Sequence, residues 1–258
     1  MELTQQNYFS AEANKEYMSV SQFKNFENCQ AKALHDIEFP INESKPAFVE
    51  GHLFEALVTG VGEDFYQKHP EIISSKGCSM GKPKAAFQKV INAANFFKSQ
   101  KFFMDIINRC DKQVILIGEI EGVKVKCALD LFDRKTNSIY DIKCMKDYKP
   151  SWDSENKTHI PWYNEYGYAL QLAIYSEIVR QNFGEPKEVG LISATKEEVP
   201  DIQAISFSNE YLNFYLNYFK SKVKLYNEIK EGKKEPIRCE NCDYCKATKE
   251  IKDFTKIK

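Results

Sequence analysis

The sequence has no apolar run long enough to cross a bilayer as a helix, which excludes a helical membrane anchor within it. Its first residues, Met1-Glu2-Leu3-Thr4-Gln5-Gln6, lack the basic and apolar blocks of a signal peptide, so a cytoplasmic protein is expected. Net charge is nearly absent: 36 Lys and Arg against 37 Asp and Glu give −1, too little for a molecule-wide field that would draw in nucleic acid. A working phosphate loop is missing too. Gly77-Cys78-Ser79-Met80-Gly81-Lys82-Pro83 is one residue short between its glycines, and Pro83 stands where a Ser or Thr would meet magnesium. Eight cysteines in a cytoplasmic chain do not make a disulfide framework. What remains is an ordinary balance, 43% hydrophobic and 28% charged, that suits one domain spanning residues 1–258 with a substantial core.

The charge that is present is unevenly spread. Residues 220–258 hold 12 Lys and Arg against 7 Asp and Glu, which leaves the rest of the chain at −6. This fits a DNA-handling enzyme with an acidic metal site, but taken alone an ordinary solvated helix end is the favoured reading.

The stretch with the most chemistry is Lys126-Cys127-Ala128-Leu129-Asp130, followed by Ser138-Ile139-Tyr140-Asp141-Ile142-Lys143. The polar run from Phe132 to Asn137 predicts a turn between two paired strands. Asp141 and Lys143 are two apart on a strand, so they share a face, and Asp130 on the partner strand can reach it. Two carboxylates, an ammonium and the Ile142 carbonyl between them can hold a hard divalent cation and place a water beside a phosphate. A same-face ion pair would account for Asp141 and Lys143 alone, but not for Asp130.

Around this core the chain predicts alternating helices and strands. Residues 1–18 read as poorly structured. A helix is expected from Ser19 to Leu34, capped by Ser19 or Ser21, with Phe23, Phe26 and Ala33 towards its buried side. Gly51–Val58 predicts a second helix with Leu53, Ala56 and Leu57 as its apolar stripe. Glu55 lies close to that stripe, an awkward place for an unpaired carboxylate. Residues 61–83 read as loop with short elements, and 84–109 as a helical region whose phenylalanines suit a core. Val114–Ile120 predicts a strand, with Glu121-Gly122 as a hairpin turn into the Asp130 strand. Residues 146–161 read as a polar loop. A long helix is expected from about Trp162 to Arg180, placing Gln171 and Tyr175 one turn apart on one face. Two more strands, Val189–Ala194 and Ile202–Phe207, precede a helix over 209–231.

With Glu55, Asp130, Asp141-Ile142-Lys143 and Gln171-xxx-Tyr175 in this order, the chain resembles the PD-(D/E)xK nuclease superfamily. Within it, the chain is similar to RecE-like (exonuclease VIII type) phage and prophage exonucleases of the RecB-like group, over about Ser19 to Cys245. Glu55 matches the first motif by its distance from Gly51, whereas His52 falls three residues too early. The resemblance implies an α/β fold with a restriction-endonuclease-like core, a central mixed β-sheet flanked by helices. It implies catalytic roles for Glu55, Asp130, Asp141, Lys143, Gln171 and Tyr175, with Mg²⁺ or Mn²⁺ held by Glu55, Asp130, Asp141 and the Ile142 carbonyl. The activity implied is exonucleolytic degradation of linear duplex DNA, 5′ to 3′, for phage-type recombination. The implied partners are duplex DNA ends, a phage single-strand annealing protein and further copies of the chain in a homo-oligomeric ring. A module that kept the fold for DNA binding or assembly without turnover is the rival of another class. Such a descendant would be expected to lose one of the four charged residues, and all four are present.

Cys239-x-x-Cys242-x-x-Cys245 needs a fourth ligand for a metal or cubane cluster, and Cys29 is the natural candidate. Some RecB-like nucleases, including a CRISPR-associated branch, join an N-terminal cysteine to the C-terminal end through a [4Fe–4S] cluster. An iron–sulfur nuclease of that CRISPR-associated or helicase-linked kind is therefore a second enzymatic reading, although the last gap here is shorter than in those relatives. The ranking is [4Fe–4S], then zinc, then bare thiols, with residues 233–258 packed back near residue 29 as a structural staple.

Overall fold

The computed structural model describes residues 2–40, 46–154, 156–251 and 253–254, so the end of the lysine-rich tail lies outside the described residues. The helices are α1 (Ala11–Glu16), α2 (Val20–Asn28), α3 (Gln30–Glu38), α4 (Pro46–Thr59), α5 (Gly62–Lys68), α6 (Gln88–Lys98) and α7 (Lys101–Arg109). Strands β1 (Asp111–Ile120), β2 (Val123–Asp133), β3 (Ser138–Met145), β4 (Ser151–Asp153) and β5 (Thr158–Ile160) follow. Then come α8 (Trp162–Glu165), α9 (Tyr168–Phe183), β6 (Val189–Thr195), β7 (Ile202–Ser206), α10 (Asn209–Lys230) and α11 (Asp243–Ala247). The main sheet has the order β1-β2-β3-β6-β7. It is mixed: β2 and β7 run antiparallel to their partners β3 and β6, while β3 and β6 are parallel and joined through α8 and α9. The expected α/β fold, a central mixed sheet flanked by helices, is the fold observed. No helix among the described residues is long and apolar enough to cross a membrane.

The chain divides into two compact units. One comprises Met1–Asn42, Ile117–Cys127 and Asn217–Lys258; the other comprises Glu43–Leu116 and Ala128–Leu216.

In the first unit the leading segment is ordered, contrary to the expectation for residues 1–18. Ser10 caps α1 by accepting the Ala13 N–H at 3.1 Å, and Tyr8, Ala13, Tyr17 and Met18 are buried. Met18 donates its N–H to the Lys124 carbonyl at 2.8 Å, and buried Lys126 donates to Asn14 Oδ1 at 2.9 Å. Its polar composition hid these tertiary partners. Ser19 and Gln22 form a capping box at the start of α2, and Phe23, Phe26 and Ala33 are buried as expected. The helix does not continue to Leu34. Cys29 is extended (φ −166°, ψ 111°), ending α2 and capping α3. Phe219, Val223 and Tyr226 of α10 are buried here, and Tyr226 stacks on Phe26 with ring centres 5.3 Å apart. Glu121 (φ 53°) and Gly122 (φ 74°) both take the left-handed conformation of a two-residue hairpin turn, as their sequence predicts.

In the second unit, Leu53, Phe54 and Val58 of α4 pack with Val90 and Phe97 of α6, Phe103 and Ile106 of α7, and Leu131, Tyr140, Ile142 and Ile192 of the sheet. Phe97 and Phe103 are core, as expected of this aromatic-rich region, whereas Phe102 is exposed. The turn between β2 and β3 is shorter than expected. Phe132 and Asp133 belong to β2, with Phe132 buried against Phe183 and Asp133 paired to Arg109 at 3.1 Å. The 146–161 stretch, expected as loop, contains the β4–β5 hairpin with Trp152 opposite His159. The long helix expected from Trp162 is broken at Gly167 (φ 64°), and α9 then runs on to Phe183.

Gly190 of β6 lies where a Cβ would stand 2.8 Å from the Ile205 carbonyl oxygen of β7. Gly190→Ala must push two paired strands apart, at about 1–3 kcal/mol by the usual cost of overpacking. A clear fall in the midpoint of thermal unfolding is expected, and an unchanged midpoint would contradict this packing.

Candidate active site

Alternation along β3 builds the site. Tyr140 and Ile142 belong to the apolar cluster with α4, α6 and α7, so Asp141 and Lys143 project from the other face of the sheet. There the Lys143 ammonium is paired with Asp141 Oδ2 and lies 4.0 Å from Asp130 Oδ2. Asp130 reaches β3 by its side chain: its Oδ2 accepts the Ile142 N–H at 2.9 Å. Residues 130, 141 and 143 thus meet as the sequence predicts, with the Ile142 backbone between them.

Helix α9 supplies the support. Gln171 Nε2 donates to Asp141 Oδ1 at 2.7 Å, so both oxygens of this buried carboxylate are engaged, one by Gln171 and one by Lys143. Tyr175 lies one turn further along α9 and is half-buried. Tyr168, one turn before Gln171, places its ring 5.1 Å from the Lys143 ammonium. Sequence reasoning missed Tyr168, although its spacing of three from Gln171 was a readable signal.

Glu55 comes from α4, whose core-facing neighbours Phe54 and Ala56 are buried. It is half-buried, and its carboxylate accepts a hydrogen bond from Gln113 Nε2 of β1. Gln113 was also missed. It precedes the apolar run of its strand and has a left-handed backbone (φ 53°) that no local sequence pattern announces. His52 is exposed on α4.

The electrostatics follow from burial and crowding. Burial pushes the Asp130 carboxyl well above the ordinary range, and the charges of Asp141 and Glu55 add to the effect. Burial also raises Glu55, against the opposing pull of Lys143 and Gln113. Desolvation works against the charge on Lys143, but Asp141 and Asp130 outweigh it and hold its pKa above the usual lysine value. The result is a fixed ammonium among crowded carboxylates. Asp130 and Asp141, with the Glu55 charge close enough to raise Asp130, offer hard oxygen donors of the type that a divalent cation of the magnesium kind prefers.

The family model for the PDDEXK-like domain of unknown function (DUF3799) matches residues 19–248. The chain belongs to this family. A solved structure described as a "putative exonuclease" from Eubacterium rectale is 31% identical, with 99% of this chain and 97% of that one covered, at a TM-score of 0.89. Another, SSO0001, is 14% identical over 85% of this chain and 92% of that one, at a TM-score of 0.33. No curated protein matches. Membership of the PDDEXK-like family, with the fold above, places the chain in the PD-(D/E)xK nuclease superfamily that its motifs resemble.

The four cysteines lie in the unit that does not contain these acids. Cys29, Cys239, Cys242 and Cys245 bring their sulfur atoms within 4.8 Å of one another.

Proposed function

We propose that this DUF3799 protein is a Mg²⁺- or Mn²⁺-dependent exodeoxyribonuclease that degrades linear duplex DNA from a 5′ end, as RecE-like enzymes do. The observation that carries the reading is the Gln171–Asp141–Lys143 chain beside Asp130. It fixes one ammonium, kept charged, where two carboxylates converge. The similarity to the E. rectale protein, described as a "putative exonuclease", supports the same class.

On this reading Glu55, Asp130, Asp141 and the Ile142 carbonyl would hold the cation. A bound divalent ion supplies Lewis acidity towards the phosphoryl oxygen and a lower pKa for an attacking water. Lys143 orients that water through its Nζ and stabilises the negative charge that builds on the phosphoryl oxygens. Asp141 keeps Lys143 protonated. Gln171 holds Asp141 in the rotamer that does so, and the Tyr168 ring lies 5.1 Å from the ammonium. Gln113 restrains Glu55 in the same way. The reading carries with it a ring of identical chains around the duplex and a single-strand annealing protein that takes the exposed tail.

The test uses linear duplex labelled at either the 5′ or the 3′ end, with a closed circle as control. Early loss of the 5′ label, with the circle intact, is expected. Early loss of the 3′ label would overturn the polarity, and cutting of the circle would make the enzyme an endonuclease.

A further inference from the structure

We infer that Cys29, Cys239, Cys242 and Cys245 form a structural site for a single tetrahedral Zn²⁺ ion and not for a [4Fe–4S] cluster. Sulfur spacing decides between them. Four thiolates about 2.3 Å from one zinc ion stand about 3.8 Å apart at the corners of a tetrahedron. Thiolates on the four irons of a cubane stand much farther apart, at about 6 Å, because each binds a different corner of the cluster. Here Cys29 Sγ and Cys245 Sγ are 3.6 Å apart, Cys239 Sγ and Cys245 Sγ are 4.0 Å apart, and all four sulfurs lie within 4.8 Å of one another. That spacing matches a single ion and is shorter than a cubane needs.

The surrounding backbone is arranged for thiolates. Cys29 Sγ accepts the Lys32 N–H at 3.5 Å, Cys239 Sγ accepts the Cys242 N–H at 3.3 Å, and Cys242 Sγ accepts the Cys245 N–H at 3.5 Å. Amides aimed at sulfur favour its charged, metal-binding form. The site is also rigid. Cys29 has the extended backbone that ends α2, and its sulfur caps the start of α3. Ile237 donates its N–H to Gln30 Oε1 at 2.8 Å, and its carbonyl accepts the Ala31 N–H at 3.2 Å. Arg238 donates to the Cys245 carbonyl at 2.6 Å. These contacts dock the segment before α11 on α3 beside the sulfurs. Zinc would close the unit there, joining residues 216 positions apart, with loss of the thiol protons on binding.

The inference is independent of the nuclease reading, because its test needs no DNA. Protein made anaerobically in medium supplying both iron and zinc is assayed for bound metal and inorganic sulfide. One zinc per chain, no sulfide and no visible charge-transfer absorption are expected. Exchange with Co²⁺ should give the strong ligand-field bands of a tetrahedral thiolate site. Cys245→Ser should lose the zinc. Because that variant could also misfold, Cys29→His provides the second arm: it keeps four ligands of ordinary zinc type and should retain one zinc. Iron and sulfide in equal amounts with a brown colour, one iron without sulfide, or no bound metal would each overturn the proposal.

Discussion

Lys143→Ala is expected to lower the rate of DNA hydrolysis by about 10²- to 10³-fold, the usual cost of removing a group that stabilises charge in the transition state. Binding of duplex DNA should survive, since many phosphate contacts set nucleic-acid affinity and one ammonium among carboxylates adds little. The variant leaves Asp141 buried without its cation, so its folding should be checked by thermal unfolding in parallel. Lys143→Met, which keeps most of the apolar stem, serves as the second variant. Nucleotide release at the wild-type rate from either folded variant would remove Lys143 from the chemistry.

Asp130→Asn separates stability from activity. The folded protein raises the Asp130 pKa, so it holds this proton more tightly than the unfolded chain does. That contribution to stability is complete below the ordinary carboxylate pKa. It is lost as pH rises through the raised folded value, because ionised Asp130 is then held half-buried beside the charges of Asp141 and Glu55. Asparagine mimics the protonated acid and its Oδ1 can still accept the Ile142 N–H. In the presence of EDTA near neutral pH, Asp130→Asn should therefore melt higher than wild type, by a few degrees for each ~1 kcal/mol of relieved repulsion. It should also lose part of the wild-type decline in stability with rising pH. Cleavage should fall by about 10²-fold or more, and the rise in melting temperature that Mg²⁺ is expected to give wild type should be lost. A variant that melts lower than wild type in EDTA, or cleaves normally, would contradict the electrostatic account.

Most of the site could be read from the sequence because its geometry is local. Asp141 and Lys143 share a face through strand alternation alone, and Gln171 stands on a helix that was expected, although it starts only after a break at Gly167. The convergence of Glu55 was expected from motif spacing, but its partner Gln113 was not. A strand residue with a left-handed backbone is set by tertiary context and leaves no trace in periodicity. The ordered N-terminal segment was missed for a related reason. Its polar residues looked unable to support structure, yet Lys126 and Met18 hold it by long-range backbone and side-chain hydrogen bonds. The break at Cys29 was hidden because flanking residues favour helix, and only the sulfur cluster gives that cysteine a reason to leave it.

The most direct test of the central claim measures release of acid-soluble nucleotide from linear duplex DNA by wild-type protein with Mg²⁺ or Mn²⁺ and with EDTA, beside Lys143→Ala. Metal-dependent release by wild type, abolished by EDTA and nearly absent in the variant, is the result predicted. Absence of release with either metal, or equal release with EDTA, would contradict the assignment of Glu55, Asp130, Asp141 and Lys143 as a metal-dependent nuclease centre.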